Sequence, residues 1–239
     1  SCHGRAGTAL INKYDDPDAG ITMPILSKTG THDGQKAAFD TWWPTYGLSL
    51  YKGNIDLTDI FGRSAPVVLE IGFGMGSSLI DMALAAPERD FVGIEIHPNG
   101  IAQICFEAGE RQLKNLRVID GDALLMLEHY FADSSIDTVQ LYFADPWPKK
   151  KHAARRLVNQ AEFLDGLARI LQPGGEFLLK TDDQPYFEDA LLSFESRSQQ
   201  FTRLDWPEDA FFYPTTDFEK SWLDIGRTIQ RARWRLNAA

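Results

Sequence analysis

The strongest constraint on the fold is an alternation of short apolar runs with amphipathic ones from residue 66 onward. Val67-Val68-Leu69-Glu70-Ile71 is almost continuously apolar, the pattern of a strand covered on both faces rather than one. Ser77 to Ala86 reads as a helix stopped by Pro87, and Phe91 to Ile96 as a second strand. Pro98 suits the first position of a helix carrying Ile101, Ile104, Cys105 and Ala108 on one stripe. Leu116 to Ile119, Asp137 to Phe143 and Glu176 to Lys180 repeat the strand pattern. Helices fall between them, at Ala123 to Tyr130 and around Phe163, Leu164, Leu167, Ile170 and Leu171, the second ending before Pro173-Gly174-Gly175. The pattern predicts an α/β fold, a doubly wound, mostly parallel sheet with right-handed crossovers; a seven-stranded sheet is the expected total, more strands than these five runs supply.

The ends of the chain differ. Residues 1–34 are polar and aperiodic and read as a loose N-terminal arm, leaving residues 35–239 as a single domain. Gln35 to Gly47 reads as a short helix ending at Trp42-Trp43-Pro44. In Thr228 to Leu236, Arg231, Arg233 and Arg235 alternate with Ala232, Trp234 and Leu236. That is a C-terminal strand, expected to be antiparallel, with one basic face and one partly apolar face.

Composition excludes several classes. A chain of 239 residues, 44% hydrophobic and 24% charged, can bury a full core, and no apolar run approaches the roughly 18–20 residues of a membrane span. No basic-then-apolar leader opens the sequence, so the expected location is the cytoplasm. Cys2 and Cys105 are the only cysteines, and Cys105 falls on an apolar helix face, so neither a disulfide nor a metal site is expected. A net charge of −10 argues against a polyanionic partner, but the positive charge is clustered. Lys149, Lys150, Lys151, Arg155 and Arg156 form one cluster, and Arg227, Arg231, Arg233 and Arg235 another. Such clusters are either solvated surface or a defined footprint for nucleic acid.

Glu70-Ile71-Gly72-Phe73-Gly74-Met75-Gly76 follows a strand and opens a helix. Glycines there let the backbone turn sharply and approach a ligand. The spacing is G-x-G-x-G rather than the G-x-G-x-x-G of dinucleotide enzymes, and an acid precedes it. S-adenosyl-L-methionine fits this pattern: it has no phosphate to cradle, and a carboxylate favours its ammonium and sulfonium. A nicotinamide or flavin nucleotide, or no cofactor at all, are the alternatives. Glu95 ends the second strand, where an acid can accept from ribose hydroxyls; Asp122 follows the third and can accept from an adenine amino group or cap the next helix. Asp145 follows the fourth, so four successive strand ends carry carboxylates. After Asp145 the chain reads Pro146-Trp147-Pro148-Lys149-Lys150-Lys151-His152, a stiff turn beside a cationic patch. Trp147 can stack on a base or pack beneath the turn.

The chain resembles the bacterial tRNA (guanine-N7)-methyltransferase family. The resemblance rests on Leu69 to Gly76, Gly93 to Pro98, Asp145 to His152 with Arg155-Arg156-Leu157-Val158, Thr181-Asp182, and Thr216-Asp217-Phe218-Glu219, over roughly residues 35–236. It implies a Rossmann-like class I methyltransferase that moves a methyl group from S-adenosyl-L-methionine to guanine N7 in the tRNA variable loop, at position 46, forming 7-methylguanosine. Carried over by position, it implies cofactor contacts from Glu70, Gly72, Gly74, Gly76, Glu95, Asp122 and Asp145, with Asp145 also catalytic. Lys149, Asp182, Thr216, Asp217, Phe218 and Glu219 face substrate, while Lys150, Lys151, Arg155, Arg156 and the arginines of the last strand meet RNA phosphates. The expected partner is tRNA, without membrane or metal, for a monomer or homodimer. One departure stands out. Family members often carry several arginines before the first helix, whereas Ser27 to Gly34 holds only Lys28. A small-molecule methyltransferase on the same fold, or a non-catalytic tRNA-binding subunit, are the competing readings.

Overall fold

The computed structural model describes residues 32–48, 50, 55–206 and 224–239. Its described strands form one seven-stranded sheet, in the order β3-β2-β1-β4-β5-β7-β6. The strands are β1 (Val67–Ile71), β2 (Asp90–Glu95), β3 (Leu116–Asp120), β4 (Ile136–Tyr142), β5 (Leu171–Thr181), β6 (Phe201–Leu204) and β7 (Gln230–Leu236). Pairing is parallel from β3 through β5, and β7 runs antiparallel to both its neighbours, β5 and β6. Every residue of β1 and β2 is buried, which is why both strands lack a polar face.

Helices cover the two faces. α3 (Ser77–Ala85) and α4 (Pro98–Glu110) pack on one side, where α1 (His32–Tyr46) lies over α4. α5 (Ala123–His129), α6 (Ala161–Ile170) and α7 (Gln184–Glu195) supply the core of the other. A five-residue helix α2 (Leu57–Phe61) precedes β1.

The helix expected to end near Pro44 continues to Tyr46, and it begins at His32, inside the stretch read as an arm. Proline removes one late hydrogen bond, but tertiary packing outweighs that loss. Phe39, Trp43 and Tyr46 are buried, and the Tyr46 hydroxyl is shared between the carbonyls of Ala108 and Leu113 at 3.0 and 2.9 Å. Gly109 makes this crossing possible: a Cβ there would lie 2.3 Å from the Trp42 ring.

Strand β5 is longer than the Glu176 to Lys180 segment expected of it. It starts at Leu171, and the register shift between Ile136 and Thr138 places Gln172 to Gly175 as a bulge on the β5 side. Strand β7 follows its sequence pattern, with Trp234 buried and stacked on Phe194 at 4.1 Å between ring centroids. Phe177 stacks on both rings, at 5.2 and 6.0 Å. Among the described residues no helix is long and apolar enough to cross a membrane. Trp234→Ala is expected to cost about 3–5 kcal/mol, measured as a lower urea midpoint with the denaturant slope retained.

Candidate active site

The site lies at the carboxyl ends of β1, β2, β3 and β4, where ligands of open α/β sheets bind. Gly72, Gly74 and Gly76 all have positive φ, at 67°, 62° and 87°, a region that residues with a Cβ rarely enter. The turn they make is braced from α4, because a Cβ on Gly100 would meet the Gly74 carbonyl oxygen at 1.9 Å. Glu95 braces it from β2. Its Oε2 accepts from the Gly74 N–H at 2.9 Å, and its Oε1 accepts from the N–H groups of Ile96 and His97 at 2.9 and 3.2 Å.

A cleft of about 950 Å³ opens beside this turn, lined by Glu70, Gly72, Gly74, Gly76, Tyr142 and Phe143 among others. Glu70 is 3% exposed, and its Oε2 has no hydrogen-bond partner among the described residues. Burial pushes its carboxyl up to about 8, against the opposing pull of Gln140 and Lys180. Lys180 is 1% exposed at the end of β5, its ammonium 4.8 Å from the Tyr142 ring centroid and 5.7 Å from that of Trp206. Burial, followed by repulsion from Arg231, brings it down to about 8. The sequence reading places Tyr142 and Lys180 in the fourth and fifth strands and gives neither a role in the site, because nothing local marks a lysine or tyrosine there as buried beside Glu70.

Asp122 is exposed and caps α5, its Oδ1 accepting from the Leu125 N–H at 3.1 Å, which leaves Oδ2 for a ligand. Asp145 is exposed just beyond β4. Phe143 and Trp147, on either side of it, have φ of 56° and 45°. Lys149, Lys150, Lys151 and Arg155 are exposed on the following turn and 3₁₀ segment, Lys150–Arg155. Trp147 is half-buried, facing the His152 ring edge-on at 6.0 Å with the Arg155 guanidinium 5.0 Å over it, so it neither enters the core nor stands clear.

Two expectations change. Arg156, expected to meet phosphate, is 5% exposed; its guanidinium is spent on Pro146 O, Trp147 O and Asp189. Arg233 of the last strand donates to both oxygens of Glu176, at 2.7 and 2.6 Å, so that strand is not a continuous phosphate-binding stripe. Asp182 is half-buried and accepts from Arg227. Thr216, Asp217, Phe218 and Glu219 lie outside the described residues, as does most of the 1–34 arm. Among the described residues no group of three or more His, Cys, Asp or Glu side chains is placed to hold a metal ion.

The donors fit S-adenosyl-L-methionine. A buried carboxyl with an unsatisfied oxygen suits an ammonium, and the turn approaches its ligand with backbone rather than with cationic side chains. The chain matches the family model described as a putative methyltransferase over residues 64–232. It is 43% identical over 201 residues to the tRNA (guanine-N(7)-)-methyltransferase of Saccharophagus degradans, covering 82% of this chain and 87% of that protein. Identity to the protein of that name from Shewanella oneidensis is 49% over 228 residues, 93% of this chain and 94% of the other. Among solved structures, the 16S rRNA methyltransferase KamB aligns with a TM-score of 0.56 at 15% identity, over 75% of this chain and 92% of its own. The antibiotic-resistance methyltransferase Kmr aligns at 0.57 and 17%, over 80% and 96%. These two share the fold.

Glu70 gives the ligand-free protein an unusual pH dependence. Its folded carboxyl holds a proton up to about 8, whereas an unfolded one releases it near 4.5. The folded state therefore binds more protons across that window, and this group's contribution to stability falls as pH rises from about 4.5 to about 8. Urea unfolding at stepped pH should show wild type losing up to about 1.4 kcal/mol per pH unit relative to Glu70→Gln.

Proposed function

The chain belongs to the tRNA (guanine-N(7)-)-methyltransferase family, and from that premise we propose that it methylates guanine N7 in tRNA, at position 46 of the variable loop, forming 7-methylguanosine. The observation that carries this reading is the pairing of β1 with β4. It brings a buried carboxyl, Glu70, and an exposed one, Asp145, to adjacent strand ends, with Lys149 to Lys151 immediately beyond. S-adenosyl-L-methionine, when bound, supplies a methyl group activated by its sulfonium. Glu70 holds the ammonium end, Gly72, Gly74 and Gly76 admit the donor to the backbone, and Glu95 and Asp122 accept from its ribose and adenine.

Guanine N7 already carries a lone pair, so no residue has to remove a proton before attack. Alignment is the main demand, and fixed geometry meets it by removing the entropy of orientation. Asp145 orients the base and stabilises the positive charge that moves onto the purine. Asp182, with Thr216, Asp217, Phe218 and Glu219, contacts the base and its surroundings. Lys149, Lys150, Lys151 and Arg155 take the phosphates, which fixes register without reading sequence. The reading places the enzyme in the cytoplasm, with residues 35–239 as its catalytic domain and as a monomer or homodimer.

Incubation with methyl-labelled cofactor and unmodified tRNA, followed by nuclease digestion, is expected to yield labelled 7-methylguanosine from nucleotide 46 alone. Label at another atom, or none, overturns the proposal. Asp145→Ala should lower turnover roughly 10²–10³-fold while tRNA affinity in a filter-binding assay holds. In the same assay tRNA affinity should drop steeply between low and moderate salt, less steeply once Lys149 and Lys150 are replaced by glutamine.

A further inference from the structure

We infer that Arg156 is a positioning residue for methyl transfer, the pin that sets the backbone around Trp147 and thereby aims Asp145. The inference rests on the role given to Asp145 above. Arg156 Nε donates to Pro146 O at 2.7 Å, and Nη2 donates to Trp147 O at 3.2 Å. Those carbonyls belong to the two peptide groups on either side of the Trp147 Cα. The angle between these planes is what the φ and ψ of Trp147 describe, and a rigid planar guanidinium bonded to both planes fixes it.

That fixing has something to resist. Trp147 has φ of 45° and precedes Pro148, and each circumstance disfavours its conformation. Such a residue persists only where its surroundings over-determine it. Phe143, on the other side of Asp145, also has positive φ and is pinned by its N–H donating to Lys180 O at 2.8 Å. The carboxylate is therefore carried between two strained residues, each tied to the scaffold.

Arg156 is itself anchored. Its Nη1 donates to Asp189 Oδ2 at 2.6 Å, and Asn159 Nδ2 donates to the same oxygen at 2.7 Å. Asn159 Nδ2 also donates to Ala153 O at 2.9 Å, tying in the basic 3₁₀ segment. Asp189 lies on α7, the helix that starts directly after Asp182 and is capped by Asp183. The Arg156–Asp189 pair thus registers the Asp145 turn against the helix that follows Asp182, and so bears on the spacing of two acids assigned to the guanine. An ammonium in place of the fork cannot reach all three acceptors in one plane.

The test uses Arg156→Lys, Asp189→Ala and the double variant, with methyl transfer to tRNA measured at saturating cofactor and RNA. The rate is expected to fall roughly tenfold to hundredfold in each single variant, with KM for tRNA and affinity for S-adenosyl-L-methionine unchanged. The double variant should fall no further than the worse single one, because both changes remove one pin. With 5-fluorotryptophan incorporated, the Trp147 fluorine signal, assigned through Trp147→Phe, should move in both single variants. If Arg156→Lys does not fold, Asp189→Ala decides, since Asp189 is partly exposed on α7 and its loss leaves Arg156 the carbonyls of Pro146 and Trp147 as acceptors. An unchanged rate in folded Asp189→Ala, or a lower melting temperature as its only effect, overturns the inference. A wild-type protein inactive on tRNA would instead overturn the proposed reaction, while the fluorine signal would still report whether the pin sets Trp147.

Discussion

A carboxyl buried in the middle of a parallel sheet governs the site. Glu70 occupies a strand whose every residue is buried, between β2 and β4, and water cannot solvate its charge there. The penalty appears as a proton held to about 8. Lys180, two strands away and equally buried, loses its proton more readily for the same reason, and each group partly relieves the other. In the function proposed above, the ammonium of a bound ligand would supply the counter-charge that burial denies Glu70. The glycine turn is braced by the Gly100 contact and the Glu95 hydrogen bonds, and it presents backbone to the cleft.

Much of this was legible in the sequence because parallel strands buried on both faces leave little room for polar residues. A carboxylate at the end of an apolar run therefore stands out, and Glu70, Glu95 and Asp145 were found that way. Elements that depend on distant partners were harder to read. Helix α1 passes through Pro44 because Trp42 lies against Gly109, sixty-odd residues along the chain, and no local pattern carries that information. Helix α7 and strand β6 lack a strong period of their own: α7 is held by the stack of Phe194 on Phe177 and Trp234, and β6 by Phe201 meeting Phe194 edge-on. Arg155 and Arg156 are adjacent and identical as residues, yet one is exposed and the other buried. Only the fold distinguishes them.

The turn after β4 shows why local stiffness is not the same as aim. Pro146 and Pro148 fix their own φ and remove two donors, which is what the sequence reading rests on. They do not hold Trp147 where it stands, since Pro148 itself disfavours that conformation, and they leave the carbonyls of Pro146 and Trp147 in need of donors. A single guanidinium answers both needs, because its fork can satisfy two carbonyls and a carboxylate at once. Prolines make the turn rigid; tertiary hydrogen bonds decide where the rigid piece points.

The same division of labour runs through the charges of an acidic chain. Arg63 pairs with Asp90, Arg156 with Asp189, Arg197 with Asp165 and Arg233 with Glu176, so these four arginines are spent on acids within the fold. Lysines 149 to 151 are exposed on the far side of the same turn. Arginine suits the first task because its planar donors meet carboxylates and carbonyls bidentately, and lysine suits the second because a solvated point charge slides easily between phosphates. Net charge describes neither task. What matters for a polyanion is which cations the fold leaves at the surface, and here Lys149 to Lys151 stand exposed four to six residues beyond Asp145.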